Sequence, residues 1–237
     1  IVTMDRDKGW SHGIHPIPVE TLEAQLKTAL STNVDAIKTG MLPTVEIIKA
    51  AAGAIDRSGL EKVVIDPVLV CKGEDEALFP ENVEAMVQTL LPRALVVTPN
   101  LFEAGQLSGL GNLTTIDDMK RAAEKIHAAG AKNVVIKGGK QLKHEKAVDL
   151  FYNGSTFTLL ESEKTDTSYN HGAGCTFAAA ITANLANGLA VDESVLEAKK
   201  FVSAAIANGW KLNDYVGPVM HGAKNRFGAP DITTSEI

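Results

Sequence analysis

The stretch Asn170-His171-Gly172-Ala173-Gly174-Cys175-Thr176-Phe177, running into Ala178-Ala179-Ala180-Ile181, combines residue types that suit phosphoryl chemistry. Two glycines one residue apart allow a tight backbone bend, and the alanine-rich run after them is a strong helix former. A Gly-x-Gly turn that opens a helix points unpaired amides and the positive end of the helix dipole the same way, which makes an anion site. Cys175 falls in the first turn, where that field favours thiolate over thiol. The stretch therefore offers a cradle for a migrating phosphoryl group with an ionisable side chain beside it. It also reads as a plain tight loop with a small packed cysteine, so the rest of the chain has to decide.

Short apolar runs alternate with helical patterns along the chain. Val19, Leu22, Leu26 and Leu30 recur at helical spacing before Ala36-Ile37, which ends at Lys38-Thr39-Gly40-Met41. A helix over about 45–55 leads to Val63-Val64-Ile65-Asp66-Pro67, and one over about 83–91 precedes Leu95-Val96-Val97-Thr98-Pro99-Asn100. Met119, Ala122, Ala123 and Ile126 mark another helix, stopped by Gly130 before Val134-Val135-Ile136-Lys137-Gly138-Gly139. The runs are rich in β-branched residues and lack polar alternation, as strands covered on both faces do. This order implies right-handed βαβ crossovers and a parallel sheet. The exception is Val148–Tyr152 and Ser155–Leu159, joined by Asn153-Gly154, a dipeptide suited to a two-residue type I′ hairpin turn. The Gly174 helix follows, with Gly188 as its stop, and a last helix carries Val195, Ala198, Phe201, Val202 and Ile206. The expected fold is α/β: one mostly parallel sheet with helices on both faces, plus a small β-hairpin, in a single domain over residues 1–237.

In open parallel sheets ligands bind beyond the carboxyl ends of the strands. Asp66, Asn100 with Glu103 beyond it, and Lys137-Gly138-Gly139-Lys140-Gln141 all fall at such ends, on the edge that the Gly172–Gly174 turn would share. Asp66 and Glu103 suit Mg²⁺, which takes one or two carboxylates and otherwise keeps water and phosphate oxygens. Asn100 suits phosphate or hydrated metal, and Lys137 offsets the charge of a triphosphate. Taken singly, Asp66 or Asn100 could cap a loop, Glu103 could start a helix and Lys137 could be solvated. Their joint placement fits phosphoryl transfer, which is mostly positioning and charge stabilisation. No Gly-x-x-x-x-Gly-Lys-Ser/Thr loop and no Gly-x-Gly-x-x-Gly after the first strand is present, which argues against P-loop and Rossmann enzymes.

Composition narrows the field further. Apolar residues make up 45% of the 237, enough for a substantial core, and the net charge of −6 speaks against nucleic-acid or anionic-membrane surfaces. Cys71 and Cys175 form no pair at metal or disulfide spacing, and His12, His15, His127, His144, His171 and His221 show no metal motif. No apolar run approaches membrane-spanning length and the first residues are no signal peptide, so a cytoplasmic location is expected.

Taken together, Lys38-Thr39-Gly40-Met41-Leu42, Asp66-Pro67-Val68, Thr98-Pro99-Asn100-Leu101-x-Glu103-Ala104, Lys137-Gly138-Gly139 and His171-Gly172-Ala173-Gly174-Cys175-Thr176 resemble, in order and spacing, the ribokinase-like superfamily. The branch is that of vitamin kinases acting on hydroxymethyl groups of pyridine or pyrimidine rings. Cys175, where most of the superfamily has Asp, fits that branch. Val70–Glu76 and Leu142–Asp149 are most similar to the pyridoxine/pyridoxal kinases of Firmicutes, with the hydroxymethylpyrimidine (phosphate) kinases of thiamine synthesis as near relatives. The resemblance implies ATP and Mg²⁺ as cofactors, a small vitamer as substrate and a homodimer. It implies Cys175 as base within an anion hole over Gly172, Ala173 and Gly174, and Asp66, Asn100 and Glu103 serving metal and phosphates. Lys137 to Gln141 would line the nucleotide and Met41 would pack on the substrate ring; Cys71 would lie in a flap over the substrate or be a plain loop cysteine, and His12 would reach the substrate edge or simply be exposed. The family begins with a further strand and a Gly-rich segment that would precede Ile1. A chain truly starting at Ile1 would therefore bind substrate poorly and be less stable, and an inactive ligand-binding relic is the corresponding alternative.

Overall fold

A computed structural model describes residues 1–9, 11–69 and 80–237. Its main sheet has seven strands in sequential order: β3 (Ile37–Thr39), β4 (Val63–Ile65), β5 (Val96–Val97), β6 (Val134–Gly139), β7 (Ala147–Tyr152), β8 (Phe157–Ser162) and β9 (Thr233–Glu236). β3 to β6 pair in parallel and the last three pairings are antiparallel, so β8 again runs with the first four. A separate two-stranded antiparallel sheet joins β1 (Val2–Asp5) to β2 (Ser11–Ile14).

The sequential order explains where the helices lie. Crossovers of one hand that always step the same way along a sheet place their helices on one face. These are α2 (Val45–Ser58), α3 (Pro80–Ala85), α4 (Leu101–Ser108) and α5 (Ile116–Ala128). Ile48, Ile55, Ala104, Met119 and Ile126 from them pack with Val63, Ile65, Val97 and Ile136 of the strands. Alternation along each strand sends Val64, Val96, Val135 and Phe151 to the opposite face, which α6 (Ala173–Ala186) and α7 (Val191–Ala207) cover with Phe177, Ile181, Val195 and Val202. Val63, Val64 and Ile65 are all buried, which is why that run shows no polar alternation. The expected three layers are present. α1 (Val19–Leu30) lies along α2 with none of its residues fully buried, and the short α8 (Ala223–Phe227) packs on α7.

Two local expectations need correction. The hairpin at 147–162 belongs to the main sheet, and its loop has four residues, because Tyr152 pairs with Phe157. Asn153 causes this: its Oδ1 accepts from the amides of Ser155 and Thr156 at 3.0 and 2.8 Å, while Gly154, at φ +95°, packs against His127. The helix expected over 83–91 is not one α-helix. It runs from Pro80 to Ala85, widens into a π turn over Met86–Leu90 and tightens into a 3₁₀ turn over Leu91–Arg93. Pro92 lacks an amide and its ring crowds the carbonyl four residues back, so α geometry cannot pass through it.

Candidate active site

Because β3 to β6 are parallel, their carboxyl ends share one edge. Asp66 follows β4 directly and is 2% exposed. Its Oδ1 accepts from Lys137 Nζ of β6 and from Thr98 Oγ1 beyond β5, both at 3.4 Å. The ends of β5 and β6 are held together by the Asn100–Lys137 bridge and by the Lys137 amide donating to Pro99 O at 2.8 Å. Asn100 caps α4, its Oδ1 accepting from Glu103 N and its own amide donating to Glu103 Oε2, both at 2.8 Å. The pair is a capping box, and it stands at the same edge as Asp66 and Lys137.

From the other face, the start of α6 reaches this edge. Gly172 enters it at φ +82°, and a Cβ added to Gly174 would lie 3.3 Å from Lys137 Nζ. A larger residue there would crowd the ammonium. Gly172, at the cap of α6, brings no side chain to its first amides, and Asn170 O takes the Ala173 amide at 3.2 Å. Ala173 and Gly174 line a cleft of about 410 Å³ together with Asn100, Lys137, Gly139 and Gln141. Gly138 and Lys140 line it too, and Lys140 Nζ donates to Thr167 O at 2.7 Å. Cys175 lies one residue on, in a neighbouring hollow of about 490 Å³ with Thr176 and His221. The α6 N-terminus is the wall between the two spaces.

The electrostatics follow from these placements. Burial, and secondarily the Asp66 charge, push the Glu103 carboxyl up to about 7, against the pull of Lys137 and the amides that donate to it. Burial works to lower Lys137, but Asp66 and Glu103 outweigh it and the ammonium is stabilised. Cys175 corrects an expectation. The residue is exposed as a whole, yet partial burial and then Asp66 hold its thiol above the usual range, and the opposing pull of Lys38 and Lys137 does not reverse this. A helix N-terminus alone favours thiolate; here a carboxylate faces the sulfur.

Among the described residues Asp66 Oδ2 and Thr39 Oγ1, like Ser194 Oγ of α7, are buried without a hydrogen-bond partner, a state that calls for an explanation such as a further group. Among the described residues no three His, Cys, Asp or Glu side chains are arranged to hold a metal. That donor set, a free carboxylate oxygen with one buried carboxyl nearby, fits Mg²⁺, which fills its remaining positions with water and phosphate oxygens. It does not fit a cation that needs a full protein cage.

The model of one protein family, described as phosphomethylpyrimidine kinase, matches residues 1–220. The chain belongs to the phosphomethylpyrimidine kinase family. Among its relatives, pyridoxine kinase of Bacillus subtilis is 56% identical over 224 residues, covering 94% of this chain and 83% of that protein. The hydroxymethylpyrimidine/phosphomethylpyrimidine kinase of the same organism is 39% identical over 216 residues, covering 91% and 79%. The pyridoxal kinase of Staphylococcus aureus, solved in complex with AMP-PCP and pyridoxal, superposes with a TM-score of 0.94 at 56% identity, covering 100% of this chain and 85% of that one.

Within this family member the expected site residues separate into groups. Asp66, Asn100, Glu103, Lys137 and the Gly172–Cys175 turn converge as described. Met41 is half-buried in the loop after β3, at the same edge. His12 sits in β2 opposite Met4, half-buried in the separate small sheet, and among the described residues no hydrogen bond or ion pair ties it to the strand-end cluster. Cys71 lies outside the described residues. Two contributors escaped the sequence reading. Lys38 was legible as part of a motif, but only the fold shows its charge acting on Cys175. Lys199 forms a buried ion pair with Asp149, 2.8 Å apart, on the wall of the cleft. Its spacing from Val195 and Val202 on the buried side of α7 was the available signal.

Proposed function

We propose that this chain is an ATP-dependent kinase that phosphorylates the hydroxymethyl group of pyridoxal, pyridoxine and pyridoxamine to give the 5′-phosphates. The observation that carries the reading is the convergence of Asp66, Lys137 and the α6 N-terminus on one edge. It occurs in a chain 56% identical to a kinase solved with AMP-PCP and pyridoxal.

In this reading the nucleotide lies in the cleft lined by Lys137 to Gln141, with its phosphates toward Lys137 and the first turn of α6. Lys137 offsets phosphate charge, and the α6 amides stabilise the transferred group. Asp66 and Glu103 would hold Mg²⁺, which would supply charge neutralisation at the phosphates. Cys175, as thiolate, accepts the proton of the substrate alcohol, and the alcohol oxygen bonds to the γ-phosphorus as the bond to the β–γ bridging oxygen breaks, releasing ADP. Met41 packs on the substrate ring.

An enzyme-linked ADP-release assay across pyridoxal, pyridoxine, pyridoxamine, hydroxymethylpyrimidine and its monophosphate tests the reading. Turnover with the pyridine vitamers is expected. Turnover confined to hydroxymethylpyrimidine and its monophosphate would assign the thiamine-pathway reaction, which the 39% identical relative carries out by name. Nucleotide binding with no product from any of them would make the chain a ligand-binding relic.

A further inference from the structure

β6 carries an irregularity where the site needs it. Lys137 pairs with Asp149 and Gly139 with Val148, so Gly138 is one residue too many for the ladder. The bulge turns the strand end outward. A side chain at Gly138 would run into the Val148 carbonyl oxygen, so only glycine fits. The amide freed from the ladder donates to Asp149 Oδ1 at 3.1 Å. The other oxygen, Oδ2, binds Lys199 Nζ of α7 at 2.8 Å, with both side chains buried.

Strand register adds the decisive point. Lys137 and Asp149 are directly opposite each other on adjacent strands and so share a face, with Cβ atoms about 5 Å apart. Lys137 nevertheless gives its ammonium to Asp66. Asp149 already has a cation, supplied by Lys199 from a different element. We infer that Lys199 is a positioning residue: by occupying Asp149 it leaves Lys137 free to serve Asp66 and the phosphate end of the cleft. Without it, a buried unpaired carboxylate stands across the ladder from Lys137 and draws the ammonium away. The inference rests on the kinase reading only through the role of Lys137.

Lys199→Met is expected to lower kcat about 10²-fold, the size of loss that misplacement of a reacting group produces. KM for the vitamer should change little and KM for ATP should rise. Lys199→Arg should retain most activity. In Lys199→Met/Asp149→Asn no stray carboxylate remains and Gly138 keeps an acceptor, so about tenfold or more of the loss should return. A Lys199→Met protein with wild-type kcat, measured beside a Lys137→Met protein that has lost it, overturns the inference and leaves the kinase reading standing. A double variant no better than the single one also overturns it, because lost packing would then be the cause. A Lys137→Met protein with full turnover refutes the role given to Lys137, and the inference falls with it. Should Lys199→Met not fold, Lys199→Gln replaces it with the same expectations.

Discussion

Replacing Glu103 by Gln isolates the cost of burying that carboxyl. The residue is 4% exposed, and its carboxyl is pushed up to about 7 from an ordinary 4.5. Between those values the folded chain holds a proton that the unfolded chain has released, so folding stability falls as pH rises through the window. The gap between about 7 and 4.5, at about 1.4 kcal/mol per pH unit, corresponds to about 3 kcal/mol over the whole range. Most of the part accessible to experiment, about 1.5 kcal/mol, falls between about pH 6 and pH 8.5. Glutamine can still accept from the Asn100 amide but has no proton to lose. Urea unfolding of wild type and Glu103→Gln, with nucleotide and divalent metal removed by chelator, should therefore show the variant gaining about 1.5 kcal/mol on the wild type across that interval. The comparison cancels the titrating groups that do not interact with Glu103. A difference that stays constant with pH would refute the claim that Glu103 titrates in the buried site.

Other expectations follow from the same geometry. Cys175→Ala should lower kcat by about 10²- to 10⁴-fold while nucleotide affinity, read by fluorescence titration, stays near wild type; near-normal turnover would remove the thiol from the reaction. Gly138→Ala should raise KM for ATP and cost about 1–3 kcal/mol of stability by forcing the bulge apart, measured by steady-state kinetics and urea unfolding. Ile126→Ala, in a fully buried position of α5, should cost about 2–5 kcal/mol with both KM values unchanged, which separates fold damage from site damage.

Much of the fold was legible because its physics is local. The runs at 63–65, 95–97 and 134–136 are strands buried on both faces, and such strands announce themselves as unbroken apolar stretches. The strand-end motifs then pointed to the edge at which Asp66, Asn100 and Lys137 stand together. What stayed hidden depends on neighbours distant in the chain. β9, Thr233-Thr234-Ser235-Glu236, has no apolar pattern and is a strand only because the edge of β8 offers it hydrogen bonds. The four-residue loop at 153–156 turns on one side chain capturing two amides, a contest that the Asn-Gly dipeptide alone does not resolve. The Asp149–Lys199 pair joins β7 to α7, and a lysine in a helix normally reads as solvated. The thiol of Cys175 misled for the same reason: the sequence displays the helix that lowers its pKa, while the burial and, after it, the Asp66 carboxylate that raise it come only with the fold.

That carboxylate links three observations that otherwise stand apart. Asp66 binds Lys137 and Thr98 through Oδ1, leaves Oδ2 buried without a hydrogen-bond partner among the described residues, and helps raise both Glu103 and Cys175. The negative charge that makes Oδ2 a place for a cation is the same charge that helps keep the two neighbouring groups protonated. Positive charge set against Oδ2 reverses the sign of Asp66's influence on both at once, since a nearby cation favours the ionised form of an acid and a nearby anion opposes it. A thiol kept protonated is a poor nucleophile and resists oxidation. In the proposed reaction, then, balancing the charge of Asp66 removes one of the influences that hold the Cys175 thiol protonated and leaves burial, the larger one, in place.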